Sequence, residues 1–204
     1  LYANTSAQYL NTSITLADGT HDITFYSQDR ASNIGSTTVY NVTTDTTNVV
    51  CGETLTSDTT MTGDLYCYGA SNGLILNANN IVLDCAGHRI WGDGVVSSYG
   101  VFTASETNVP VKNCNIKGWD FGVRYDANTD STLYNNTINA NITGGSYNWG
   151  LYLSDSTGVN ITENTMDTLD VGVYNYRSNS SHFESNNITG RGDHALYLYG
   201  NPYV

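Results

Sequence analysis

Three aspartates, Asp120, Asp126 and Asp130, lie within eleven residues, and Tyr125 stands among them. Carboxylates held about 5 to 10 Å apart can cut a glycosidic bond, and carboxylates gathered at one turn can hold Ca²⁺. An aromatic ring beside them can cover the apolar face of a sugar. Asp120, Tyr125 and Asp126 are therefore the candidate carbohydrate face, with Ca²⁺ the one ion it would take. Asp170, fifty residues beyond Asp120, shares its phase in the repeat set out below. The rest of a catalytic set is missing. The chain has no adjacent Asp pair, no Gly-His-Gly and no Arg-Xaa-Lys, and no phosphate cradle, nucleophile elbow or Cys/His dyad. His88 with Arg89, and His194 beside Arg191 and Asp193, are the other polar candidates; Arg191-Gly192-Asp193 reads as a chance match to the integrin-binding tripeptide. The sequence thus predicts a binding face, with no catalytic residue and no resident cofactor.

Four cysteines, Cys51, Cys67, Cys85 and Cys114, form no Cys-Xaa-Xaa-Cys pair, and the four histidines are scattered. That argues against zinc and for disulfides, for which three pairings exist. Eight Asn-Xaa-Ser/Thr sequons occur, at Asn4, Asn11, Asn41, Asn135, Asn141, Asn160, Asn179 and Asn187. In a chain so rich in Ser and Thr, chance supplies most of them. They permit N-glycosylation where exported Asn is modified. Among 16 tyrosines, Tyr125, Tyr134, Tyr152, Tyr174, Tyr176, Tyr197 and Tyr199 recur near strand positions. Rings stacked outward there can bind sugars, attached glycans included.

The elements that must position these groups are read from a repeated phrase. Gly73-Leu74-Ile75, Gly100-Val101-Phe102, Gly122-Val123-Arg124, Gly150-Leu151-Tyr152 and Gly172-Val173-Tyr174 recur, with a degenerate copy at His194-Ala195-Leu196. A second phrase keeps step: Cys114-Asn115-Ile116, Asn136-Thr137-Ile138, Asn164-Thr165-Met166 and Asn186-Asn187-Ile188. A fixed period above 20 residues means stacked repeats. Within each period the residues alternate apolar with polar, as strands do, and no stripe of helical period appears. Coils of about 22 residues with two or three short strands predict an all-β parallel β-helix, its coils stacked about 4.8 Å apart. Asn136, Asn164 and Asn186 should then form a ladder, opened by Cys114. Ile116, Ile138, Met166 and Ile188 should stack inside, with Ile90 opening that column. Two longer steps place insertions near Gly92-Asp93-Gly94 and near Gly144-Gly145-Ser146-Tyr147-Asn148; such loops project on one face of a solenoid, often the binding face. Of the three disulfide pairings, Cys51–Cys67 closing a cap and Cys85–Cys114 one coil apart fit this stack best, and imply an oxidising compartment.

Asn80-Ile81-Val82-Leu83-Asp84-Cys85-Ala86-Gly87-His88-Arg89-Ile90 resembles the opening coil of NosD-like right-handed parallel β-helix proteins. The Cys51 to Cys67 segment resembles the capping strands of their secreted members. The resemblance implies a right-handed β-helix over residues 48–204. It implies little about activity, since such folds serve surface proteins, carbohydrate-active enzymes and accessory proteins. Asn128-Thr129-Asp130 is similar to a galacturonase phrase, though here it lies in a Ser/Thr-rich turn. Residues 1–47 resemble instead the last strands of immunoglobulin-like surface domains, on Asp18-Gly19-Thr20-His21, Asp29-Arg30-Ala31-Ser32-Asn33 and Thr37-Thr38-Val39-Tyr40. About half of such a sandwich is present, against the seven strands a complete one needs.

The formal net charge is −12, with only seven Lys plus Arg. Nucleic acid and anionic bilayers, which demand clustered cations, are excluded as partners, and no apolar run is long enough to span a membrane. The half sandwich and the unfinished last coil read as open β edges of a mature or truncated portion. Open edges recruit further strands. The sequence therefore predicts an extracellular, glycosylated surface protein that self-assembles with like subunits into a filament or array. The alternative is a carbohydrate-binding or carbohydrate-cleaving β-helix.

Overall fold

The computed structural model describes residues 19–29, 31–44, 48–142 and 146–200. All regular structure among them is strand. The sequons at Asn4 and Asn11, and the strand expected at Ile14-Thr15-Leu16, lie outside the described residues, as does the side chain of Asn41. The chain divides into two compact units, one up to residue 46 and one from residue 47 on. Each is described by itself.

In the first unit, β1 (Gly19–Gln28) pairs antiparallel with β2 (Ile34–Thr44), with a bulge between His21 and Ile23. Asp29 builds the turn. Its Oδ1 accepts the N–H groups of Ala31 at 2.8 Å and Asn33 at 2.9 Å, and Ser32 adopts a left-handed φ of 67°. An Asp side chain that bonds its own downstream backbone is a turn-former for this reason.

The second unit is a parallel β-helix of three sheets. The first sheet stacks Glu53–Leu55, Asn72–Leu76, Tyr99–Ala104, Phe121–Asp126, Trp149–Ser154, Val173–Tyr176 and Leu196–Tyr199. The second stacks Thr59–Thr60, Leu83–Asp84, Pro110–Lys112, Thr132–Tyr134, Asn160–Thr162 and His182–Glu184. The third stacks Leu65–Cys67, Arg89–Gly92, Asn115–Lys117, Thr137–Asn139, Thr165–Thr168 and Asn187–Gly190. Each strand pairs in parallel with the same strand one coil away, so side chains of one position form columns. Leu83, Val111, Leu133 and Ile161 make one inward column, and all four are fully buried.

The expected inward column holds as Ile90, Ile116, Ile138, Met166 and Ile188. It starts one coil earlier than the sequence suggested, because Leu65 pairs with Ile90. The degenerate last phrase is also shifted. Val173 pairs with Leu196, so Ala195 and not His194 continues the glycine column, and the last step is one residue longer.

Why that column is glycine is a matter of space. A Cβ on Gly122 would stand 2.2 Å from Cγ2 of Ile138 and 2.6 Å from the carbonyl oxygen of Gly150. The chain there turns from the third sheet into the first, against the core and the next coil. The Asn ladder satisfies the corner between the second and third sheets. Oδ1 of Asn164 accepts the backbone N–H of Asn136 at 2.9 Å and its Nδ2 at 3.0 Å. Asn186 does the same for Asn164, and Asn136 accepts the N–H of Cys114 at 2.9 Å.

Three further columns turn the chain through left-handed backbone. They are Asn80, Asn108, Asp130, Gly158 and Ser180; Ser105, Ala127, Asp155 and Arg177; and Asn113, Asn135, Glu163 and Ser185. All have φ between 49° and 68°. Asn, Asp and Gly tolerate this region, and other residues do so at a cost. Both favoured disulfides are formed, Cys51–Cys67 and Cys85–Cys114, with Cα separations of 5.6 and 4.8 Å.

Candidate functional site

The two insertions fall at the same corner of the helix, between the third and first sheets, separated by one short coil. A Cβ on Gly94 of the first would touch Ile142 of the second at 3.4 Å. Asp120, in the short coil between them, holds both. Its Oδ2 accepts the N–H of Ser97 at 2.8 Å, and its Oδ1 accepts those of Tyr147 and Asn148, each at 2.9 Å. The carboxylate is fully buried, and these three backbone donors are what make that burial tolerable.

The insertions rim a cleft of about 240 Å³ on the outer face of the first sheet, lined by Ser97, Tyr99, Phe121, Arg124, Tyr147, Trp149 and Tyr152. Ring contacts run through it. Phe121 stacks on Tyr99 at 5.2 Å between centroids and meets Tyr147 at 4.9 Å. Trp149 lies 4.9 Å from Tyr147 and 5.4 Å from Tyr152. The stack continues down the sheet from Trp149 to Tyr174 at 4.2 Å and on to Tyr197 at 4.9 Å. Arg124 sits among these rings, 5.1 Å from Tyr99 and from Tyr152. Its Nη1 donates to the Tyr99 hydroxyl at 2.8 Å, and its Nε and Nη2 grip Asp126 at 2.8 and 2.6 Å. Desolvation works against its charge, but Asp126 together with the Tyr99 and Tyr152 hydroxyls outweighs it and raises the guanidinium's pKa. The Trp149 indole N–H is buried without an acceptor.

The sequence-predicted face of Asp120, Tyr125 and Asp126 does not assemble. Tyr125 is fully buried in the core, in the inward column of Thr103, Leu153 and Asn175. Its hydroxyl donates to the carbonyl of Thr132 at 3.2 Å, and burial pushes its pKa well up. Strand parity is the reason: Val123 and Tyr125 share a face, so Tyr125 follows Val123 inward. Asp120 and Asp126 sit at opposite ends of one strand, about 20 Å apart at some 3.3 Å per residue, and Asp130 lies in the next corner. Only Asp126 reaches the cleft, through Arg124.

His88 and Arg89 both turn to Asp64, at 3.4 and 3.8 Å. His194 pairs with Asp193 at 2.7 Å, and Arg191 with Asp167. Among the described residues no group of three or more His, Cys, Asp or Glu is placed to hold a metal, and no helix is long and apolar enough to cross a membrane. Of the described sequons, Asn135, Asn160 and Asn187 are exposed, while Asn141 and Asn179 are half-buried. Sequence reading missed Tyr99, Phe121, Trp149 and Arg124, and reached Tyr147 only as part of an insertion expected on the binding face. A usable signal was present: an aromatic precedes the glycine in Tyr99-Gly100, Phe121-Gly122 and Trp149-Gly150, and a second ring or Arg124 follows three residues on.

The family model described as right handed beta helix region matches residues 65–203, well over half of the chain. The chain belongs to that right-handed β-helix family. No curated protein gives a significant match. Within this right-handed β-helix the insertions and the aromatic column occupy one face, as loops and binding surfaces of solenoids commonly do.

Proposed function

We propose that this chain is an extracellular repeat module that binds carbohydrate, without cleaving it, in the aromatic cleft of the first sheet. One observation carries the reading: two coil insertions, both pinned by Asp120, rim a cleft of Tyr99, Phe121, Tyr147, Trp149 and Tyr152 around the Arg124–Asp126 pair. Aromatic rings with polar tips suit a ligand that is apolar on one face and hydroxylated at its edge. Arg124 and Asp126 together offer donors and acceptors to ring hydroxyls. A cleft of this volume holds about one sugar ring. Two disulfides favour an oxidising, extracellular setting. The test is titration of neutral oligosaccharides against the protein and its Tyr147→Ala and Tyr152→Ala variants. Binding weakened at least tenfold by either change supports the reading; no binding, or binding indifferent to both, sinks it.

A second reading, a glycosylated surface protein that assembles through strand pairing, is favoured by the β1–β2 hairpin. Its two strands, the ones described in that unit, are marginally stable by themselves, and Phe25, Tyr26 and Ile34 on them are exposed. Exposed Asn135, Asn160 and Asn187 are the sequons best placed to carry glycans. Intact-mass measurement before and after enzymatic deglycosylation, with particle imaging, checks it: an unmodified monomer rules it out.

A further inference from the structure

The third sheet carries a different surface. Its outward residues form two columns, Arg89–Asn115–Thr137 and Trp91–Lys117–Asn139, set by the parallel register. Between them runs a groove of about 300 Å³ lined by these six side chains. At roughly 4.8 Å per coil and 3.3 Å per residue, Arg89 and Lys117 stand diagonally about 8 Å apart.

Lys117 is the unusual member. Six cations are described, and five face a carboxylate: Arg89 with Asp64, Lys112 with Asp84, Arg124 with Asp126, Arg177 with Asp155 and Arg191 with Asp167. Among the described residues Lys117 alone has no carboxylate within ion-pair distance. It is exposed, and its ammonium sits 5.1 Å over the Trp91 ring. In a chain of net charge −12, a cation left without a carboxylate is the exception. Arg89, half-exposed, shares Asp64 with His88.

We infer that this groove binds an anionic polysaccharide, with the charge of one residue between Lys117 and Arg89 and the hydroxyls along the amide and hydroxyl groups of Asn115, Thr137 and Asn139. The two cations supply charge-assisted hydrogen bonds to an acidic group. The neighbouring amides both donate and accept, as a hydroxylated chain requires and a bare inorganic anion does not. Trp91 supplies an apolar wall. At the other end of the sheet Asp167 is already paired with Arg191, so the acidic group lies at the Lys117–Arg89 end.

The experiment compares three oligosaccharides of one backbone: dextran, carboxymethyl dextran and dextran sulfate. They are titrated at low salt against the full chain and against Lys117→Met and Arg89→Gln. The site is followed by the indole N–H resonance of Trp91. The inference expects the charged oligomers to shift that resonance, plain dextran to leave it unmoved whether or not it enters the cleft of the first sheet, and Lys117→Met to weaken the affinity read from that shift at least tenfold with the fold intact by circular dichroism. Carboxymethyl dextran binding alone assigns a carboxylated glycan; dextran sulfate binding alone assigns a sulfated one. Tyr147→Ala, in the cleft of the first sheet, leaves the affinity read from the Trp91 resonance unchanged, which separates the two sites. A Trp91 shift by plain dextran equal to that by the charged oligomers, a Lys117→Met variant with unchanged affinity at that resonance, a resonance unmoved by either charged oligomer, or loss of the shift on Tyr147→Ala each overturns it.

Discussion

Asp120 accepts a hydrogen bond from the backbone N–H of Tyr147 at 2.9 Å, across 27 residues of sequence. The same carboxylate holds Ser97 on the coil before. One buried side chain therefore fixes the rim of the cleft from both sides. Asp120→Asn turns a donor toward one of these N–H groups and removes the charge. Hydrogen bonds to charged groups contribute about 1.5 to 3 kcal/mol, so a loss of about 2 kcal/mol is expected. Urea unfolding measures it, and hydrogen exchange should show faster opening at Ser97, Tyr147 and Asn148 than in the strands.

The Asn ladder predicts a larger effect at its centre. Asn164 accepts from Asn136 and donates to the carbonyls of Leu133 at 2.8 Å and Thr162 at 2.9 Å. Asn164→Ala leaves a buried N–H and two carbonyls without this partner. At about 1 to 3 kcal/mol for a stranded buried group, the expected loss is about 3 kcal/mol, read by chemical denaturation. An effect below about 1 kcal/mol would show that water replaces the amide.

Backbone conformation gives two substitutions of opposite sign. Ala127 is exposed at φ 52°. Left-handed backbone costs a non-glycine residue about 1 to 2 kcal/mol, and glycine returns about 0.5 to 1 of that as chain entropy. Ala127→Gly should stabilise by roughly 0.5 to 1 kcal/mol. Gly122→Ala should destabilise by about 3 kcal/mol or more, because its Cβ would meet Ile138 and the Gly150 carbonyl with no room to yield. Thermal melts of the pair decide both signs.

Acid should loosen the turn between the second and third sheets. Burial raises the pKa of Asp64, but the Arg89 N–H, the Tyr66 hydroxyl, His88 and the Arg89 charge together bring it below the ordinary aspartate value. At Asp84, burial is likewise outweighed by Asn113, the Ala86 N–H and Lys112. A carboxylate with a depressed folded pKa adds stability that is present above its unfolded value and lost as pH falls through the folded one. Stability should therefore drop as pH falls below about 4, and Asp64→Asn with Asp84→Asn should flatten that drop. Melting temperatures from pH 6 to 2 test this; an unchanged slope in the double variant refutes it.

Much of this architecture can be read from the chain. The Asn136–Asn164–Asn186 ladder and the Ile116–Ile138–Met166–Ile188 column are one-position signals repeated in register, and so survive as columns. Cys85 and Cys114 pair because a step of one coil brings them face to face. The site was read less well, for a physical reason. Tyr125 and Asp126 are neighbours in sequence and point to opposite sides of a strand. Asp120 looks like a surface acid, but at a corner between two inserted loops its surroundings are backbone N–H groups that no composition reveals. The cleft itself joins Tyr99, Arg124 and Tyr152 from three coils, a juxtaposition made by stacking.

The three left-handed columns have a consequence for how this molecule can change. Each of these columns keeps one backbone conformation through the stack while its residue varies, among Asn, Asp, Gly, Ser, Ala, Glu and Arg. Turning is thus a property of position, and a coil is a unit of length more than of sequence. A 22-residue duplication or deletion between equivalent corners leaves every sheet in register and every column continuous. Reach along the axis can be set in steps of one coil, and the cleft and the groove persist where the change lies outside the coils that build them.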